Sequence, residues 1–120
     1  MPLIYSVLHR YYDLANLLLD SGAEIDARST DGKTPLMVAA EIGDLTMASL
    51  LLSRGADVLK TDTIGVPVLV YAIIGGNESL LDLMLEAGAR PNVNVNKIMI
   101  TPLMYAAMNG KAKARESINH

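Results

Sequence analysis

A period of 33 residues runs through the chain. Leucine-rich triplets stand at Leu17-Leu18-Leu19, Leu50-Leu51-Leu52 and Leu83-Met84-Leu85. Three residues past each comes Gly-Ala, at Gly22-Ala23, Gly55-Ala56 and Gly88-Ala89. The same spacing pairs Gly32 with Gly65, Gly43 with Gly76 and Asp44 with Asn77. Repeats of this length are supersecondary units that bury their apolar faces against one another in a stack. Three complete copies meet the minimum such an array needs to be stable.

The best-formed copy shows what one unit is. Thr34-Pro35 opens the apolar segment LMVAA, which ends at Gly43. Thr is a good N-cap, and proline is tolerated at the first helical position because its missing N–H would be unpaired there anyway. Ala39 and Ala40 are small enough for this short helix to lie close to its neighbours. Asp44 then caps a second helix with Leu45, Ala48, Leu51 and Leu52 on one side, a helical stripe. Gly55 falls where that helix stops in the left-handed conformation. From Asp57 to the next proline there is room for a turn or hairpin-like finger, but not for a third helix.

These residues resemble the ankyrin repeat, whose pattern G-x-T-P-L-x-x-A-A-x-x-G reads here GKTPLMVAAEIG from Gly32 to Gly43, followed by LLL at 50–52 and GADV from Gly55 to Val58. The resemblance spans essentially the whole chain and implies an all-α repeat solenoid. Its helix-turn-helix units are joined by extended, β-hairpin-like fingers. A single domain, 1–120, then divides into units at 1–27 (without a first finger), 28–60, 61–93 and a partial or capping fourth at 94–120.

Several positions depart from the pattern. Met1-Pro2-Leu3 is in register with Thr34-Pro35-Leu36, and Arg10 stands where later units have Gly43, Gly76 and Gly110. Pro67-Val68-Leu69 replaces Thr-Pro-Leu, which predicts a helix start shifted by about one residue. The third finger, NVNVNKIMI, is longer by one residue and predicts a different shape. The fourth unit opens well with TPLMYAAMNG at 101–110, but KAKARESINH has no leucine triplet. Either it is a polar cap, with Ala112, Ala114 and Ile118 inward and Lys111, Lys113 and Arg115 outward, or the chain ends within a repeat.

Composition limits the chemistry. The 120 residues contain no cysteine, so no disulfide, thiolate nucleophile or Cys-based zinc site is possible. Only His9 and His120 are available as histidines, and His9 is expected at the surface beside the groove. No nucleophile, base and orienting group fall together; Gly75-Gly76-Asn77 belongs to no G-x-x-x-x-G-K-[ST] run, and its glycines are expected at the turn between two helices. Asp57 and Asp62 flank a finger as expected solvated charges. The seven methionines read as core filling. The expectation is a non-catalytic chain with no cofactor and no metal.

Ten Lys and Arg against 13 Asp and Glu leave a net charge of −3, which argues against a nucleic-acid partner. The longest apolar run, Ile64 to Ile74, has 11 residues, far short of the roughly 20 that a membrane helix needs. The N-terminus lacks the pattern of a signal peptide, so the Asn77-Glu78-Ser79 sequon reads as accidental. The expected setting is intracellular: cytoplasmic, with the nucleus left open.

What the resemblance implies about function is a concave binding surface formed by finger tips and the exposed side of each first helix. By register its positions are Arg28, Thr30, Asp31 and Lys33, with Glu41 and Ile42, in the second unit. They are Thr61, Thr63, Ile64 and Val66, with Ile74 and Gly75, in the third, and Lys97, Ile98 and Ile100, with Met108 and Asn109, in the fourth. Three columns turn apolar along the stack: Asp31, Ile64, Ile98; Lys33, Val66, Ile100; and Glu41, Ile74, Met108. Either they form an exposed apolar interface rimmed by charge, or the third finger folds over and buries some of them.

The implied function is protein–protein interaction by a monomer, with another protein as partner. The alternatives are a self-assembling element, pairing through the bare face of an end unit, or a piece of a larger repeat protein. Residues 97–120 carry four basic and one acidic side chain, while 1–96 carry six and twelve. The basic end is either a solvated cap or a site for an acidic partner.

Overall fold

The computed structural model describes residues 2–89, together with the backbone of 93–95 and 98–100. Six short helices follow one another as three hairpins. Helix α1 (Pro2–Leu8) precedes α2 (Tyr12–Asp20), α3 (Pro35–Ile42) precedes α4 (Leu45–Ser53), and α5 (Val68–Gly75) precedes α6 (Glu78–Glu86). Helix α3 lies between α1 and α5, and α4 packs against α6. The all-α stacked-repeat architecture implied by the resemblance is therefore the one found.

Helices of seven to nine residues are marginal in water by themselves. Packing holds them. Leu36, Met37, Ala39, Ala40, Met47, Ala48, Leu51, Leu80 and Met84 are fully buried, and every residue of α3 from Pro35 to Ala40 is buried. Each fully buried leucine stabilises the stack by roughly 2 kcal/mol. The buried methionines among the described residues fill the core as expected.

The stops repeat as closely as the helices. Gly22, Gly55 and Gly88 take φ of 97, 97 and 110°. Their N–H groups bond to Leu19, Leu52 and Leu85, and those of Ala23, Ala56 and Ala89 bond to Leu18, Leu51 and Met84. The turn inside each hairpin is equally regular. Gly43 and Gly76 cap α3 and α5 in the left-handed conformation. Arg10 adopts the same geometry without being glycine, at φ 61°. Its N–H bonds to Val7 and that of Tyr11 to Ser6, the bonds that Gly43 and Asp44 make to Ala40 and Ala39.

Two expectations change. Helix α5 begins at Val68, in register with Pro35, so the displaced proline causes no shift of the start. Pro67 serves as the N-cap, at φ −81° and ψ 163°, an extended conformation its ring allows; the cost is the side-chain cap that Thr34 supplies. Gly75, expected at the turn, is instead the last residue of α5. A Cβ there would lie 2.1 Å from the Ala40 carbonyl oxygen, so glycine sets how closely α3 and α5 approach.

The fingers are turns held by the backbone. Ser29 N–H bonds to Lys33 O, and Asp62 N–H to Val66 O, with Gly32 and Gly65 in the left-handed region. The third finger differs, as its length predicted. Strands β1 (Val93–Val95) and β2 (Ile98–Ile100) pair antiparallel, Val93 opposite Ile100 and Val95 opposite Ile98. The expectations for the fourth unit fall outside the described residues.

Candidate functional site

The first helices and fingers of successive units meet in a groove of about 460 Å³ between α1, α3 and the second-unit finger. Ile4, Tyr5, Leu8, Val38 and Ile42 give it an apolar lining, and Ser29, Thr30, Asp31, Lys33 and Glu41 supply its polar atoms. Leu8 is 53% and Tyr5 51% exposed. Sequence reasoning left both out because unit 1 has no finger of its own. For Leu8 the signal was present in the register, which aligns it with Glu41 and Ile74; Tyr5 aligns with Val38 and Tyr71, which are buried, so the register gave no sign of its exposure.

Further along, Ile64 is 66% and Ile74 58% exposed, on a finger and on α5. Both are exposed among the described residues. Val66 is half-buried and packs against the core. Ile98 lies on β2, while Lys97, Met108 and Asn109 lie outside the described residues.

The charged positions hold one another and the stack. Lys33 Nζ donates to Glu41 Oε1 at 2.7 Å, lies 3.9 Å from Asp31 and stands 5.4 Å from the Tyr71 ring centre. The hydrogen bond to Glu41 raises the Lys33 pKa against the opposing effect of burial. The Arg28 guanidinium donates twice to the Thr61 carbonyl, at 2.8 and 3.1 Å, tying one finger to the next. Thr30, Thr63 and Asp31 face solvent. Asp31 accepts from the Ser29 hydroxyl, which holds its carboxyl below the ordinary range.

Asp62 corrects the sequence reading outright. It is 7% exposed, not a solvated charge. Its carboxylate accepts from Tyr71 Oη at 2.7 Å and from the backbone N–H of Ile64 and Val66 at 3.0 and 2.9 Å. Burial pushes this carboxyl up, yet the bonds from Tyr71 and the finger backbone outweigh it and leave it lowered. Asp57 stays exposed and caps Leu59 N–H.

Other polar groups singled out earlier also have structural roles. Asp44 caps α4 and accepts from Tyr12 Oη across the unit boundary at 3.0 and 3.1 Å. The Asn77 amide accepts from Leu80 N–H and donates to Gly43 O at 3.0 Å, so the sequon nitrogen is already committed to the stack. His9 is exposed, its ring 4.4 Å from Tyr5 and 5.5 Å from Tyr11. Among the described residues no three His, Asp or Glu gather as a metal site, and no helix is long and apolar enough to cross a membrane.

Stacked helical hairpins that present a ridge of fingers beside a row of first helices define a helical repeat solenoid. The family model for ankyrin repeats (3 copies) matches residues 3–96, and the chain belongs to the ankyrin-repeat family. Its members are generally protein–protein interaction modules and typically non-catalytic. No curated protein matches the chain significantly.

Proposed function

We propose that this chain binds a protein partner through its concave face, without catalysis, as an intracellular module of the cytoplasm or nucleus. The observation that carries this reading is the exposure of Ile64 and Ile74, two branched aliphatic side chains held out to solvent on the finger and first helix of the third unit. Exposed apolar surface of this kind, rimmed by polar groups, commonly marks an interface. The net charge of −3 supports a protein rather than a nucleic-acid partner.

Affinity capture from cell lysate with wild type and Ile74→Lys side by side, followed by mass spectrometry, tests it. A protein retained by wild type and lost by the variant supports the reading, provided thermal unfolding of the two agrees within about 0.5 kcal/mol, as for an ordinary surface change. Equal retention by both would place the binding surface elsewhere.

A second reading, self-association through unit 1, is favoured by one observation. Leu17 is exposed, whereas Leu50 and Leu83, its counterparts in the later units, are half-buried. Light scattering behind size exclusion separates the two readings, since a monomer near 12.9 kDa removes the second.

A further inference from the structure

The groove between α1 and the second-unit finger has a chemistry that none of the foregoing uses. Its floor is apolar, and Leu8 and Tyr5 remain half-exposed there with Val38 and Ile42 alongside. Of its charges, Lys33 and Glu41 are bonded to each other at 2.7 Å and neutralise one another. Asp31 remains. It is exposed, accepts from the Ser29 hydroxyl with its own and the Lys33 backbone N–H beside it, and its ion pair with Lys33 is a long one, 3.9 Å, because that ammonium is bonded to Glu41. The groove therefore presents an apolar floor, an exposed tyrosine and a carboxylate open to solvent that is only loosely paired with its neighbouring ammonium.

The wider surface has the same sign. Residues 1–96 carry twelve acidic against six basic side chains; with Asp44 and Asp62 buried, ten acidic ones remain against six, and the Arg54–Asp20 pair removes one of each sign.

We infer that this groove takes a partner segment presenting an aliphatic side chain beside an arginine. The inference rests on the concave-face reading and names the partner chemistry at its first two units. The aliphatic group packs on Leu8 and Val38, removing from water the apolar surface that the stack leaves open. The guanidinium pairs with Asp31 in a charge-assisted bond and lies within reach of the Tyr5 ring, whose face attracts a cation. Arginine suits the site better than lysine, because its planar fork can satisfy the carboxylate and stack on an aromatic ring at once. The acidic surface adds long-range attraction for such a segment, which weakens with salt.

Synthetic peptide pools of otherwise random sequence provide the probe. One pool fixes leucine and arginine two residues apart, on one side of an extended chain. A second fixes leucine and glutamate, and a third serine and arginine. Wild type should retain the leucine–arginine pool over both others. Asp31→Asn should weaken that retention about tenfold, and Leu8→Glu should abolish it. Both positions are exposed, and a melting curve checks that each variant is folded at the temperature of the binding measurement. Asp31→Lys should shift the preference to the leucine–glutamate pool.

Retention of the glutamate pool as strong as that of the arginine pool overturns the proposal. So does a Leu8→Glu protein that binds like wild type, or wild type that retains no pool. In those cases the capture experiment with Ile74→Lys still decides the concave-face reading separately, because Ile74 does not line this groove.

Discussion

Tyr71 on α5 donates its hydroxyl hydrogen to the buried carboxylate of Asp62 at 2.7 Å, so the finger that precedes α5 is held by the helix it leads into. The same carboxylate closes the finger by accepting from Ile64 and Val66. Ile64, the most exposed apolar side chain of the proposed surface among the described residues, therefore sits on a turn fixed from behind. Removing the hydroxyl in Tyr71→Phe should cost about 1.5–3 kcal/mol, the range for a bond to a charged group. Denaturant unfolding checks this. A loss under 0.5 kcal/mol would mean that the backbone N–H groups alone hold the finger.

Acid should loosen the same contact. The Asp62 carboxyl is lowered in the folded chain relative to its ordinary value, so the unfolded chain binds that proton more readily. Its contribution is complete above the unfolded carboxylate pKa of about 4, and is lost as pH falls through the lower folded value. Urea midpoints measured from about pH 6 down to about pH 2 should fall more steeply for wild type than for Asp62→Asn. Parallel curves would show that other carboxylates account for the acid limb.

Gly75→Ala should destabilise although alanine is the better helix former by about 1 kcal/mol. The new Cβ would meet the backbone oxygens of Ala40 and Glu41 at 2.1 and 3.0 Å, and backbone cannot swing aside as a side chain does. The separation of α3 and α5 must grow, at a net cost of about 2 kcal/mol. A rise in melting temperature would show that the two helices part without penalty.

Arg10→Gly should stabilise. Arg10 holds φ 61° at the place where Gly43 and Gly76 take 74 and 71°. A side chain in that region costs about 1–2 kcal/mol, offset in part by the greater freedom of glycine in the unfolded chain. A gain of about 0.5–1 kcal/mol is expected from denaturant unfolding. A loss would mean that the arginine side chain compensates for its backbone.

The repeat made most of the fold readable in one dimension. The Thr34 cap, the Gly43 and Gly76 stops, the Asp44 and Asn77 caps and the left-handed Gly22, Gly55 and Gly88 depend on partners within a few residues. Copies in one register report the same local bonds several times over. The binding surface was only partly readable. Ile64 and Ile74 proved exposed as their columns suggested, while Tyr5 and Leu8 were passed over because unit 1 lacks the finger by which the other positions were counted.

By itself, then, the sequence determined that each of the first three units is a pair of helices, which residues cap and stop most of them, and that the units stack. Those outcomes follow from short-range hydrogen bonding and apolar spacing. Only the tertiary structure decided that Asp62 is buried against Tyr71, that Pro67 caps α5 without moving its start and that Gly75 touches α3. It also decided that Arg28 spends its donors on Thr61 and Lys33 on Glu41, which leaves Asp31 to face the groove. Each of those facts is a distance that the chain's spacing leaves unspecified. It is set when helices and fingers that are separate in sequence pack together and every buried polar group must find its partner.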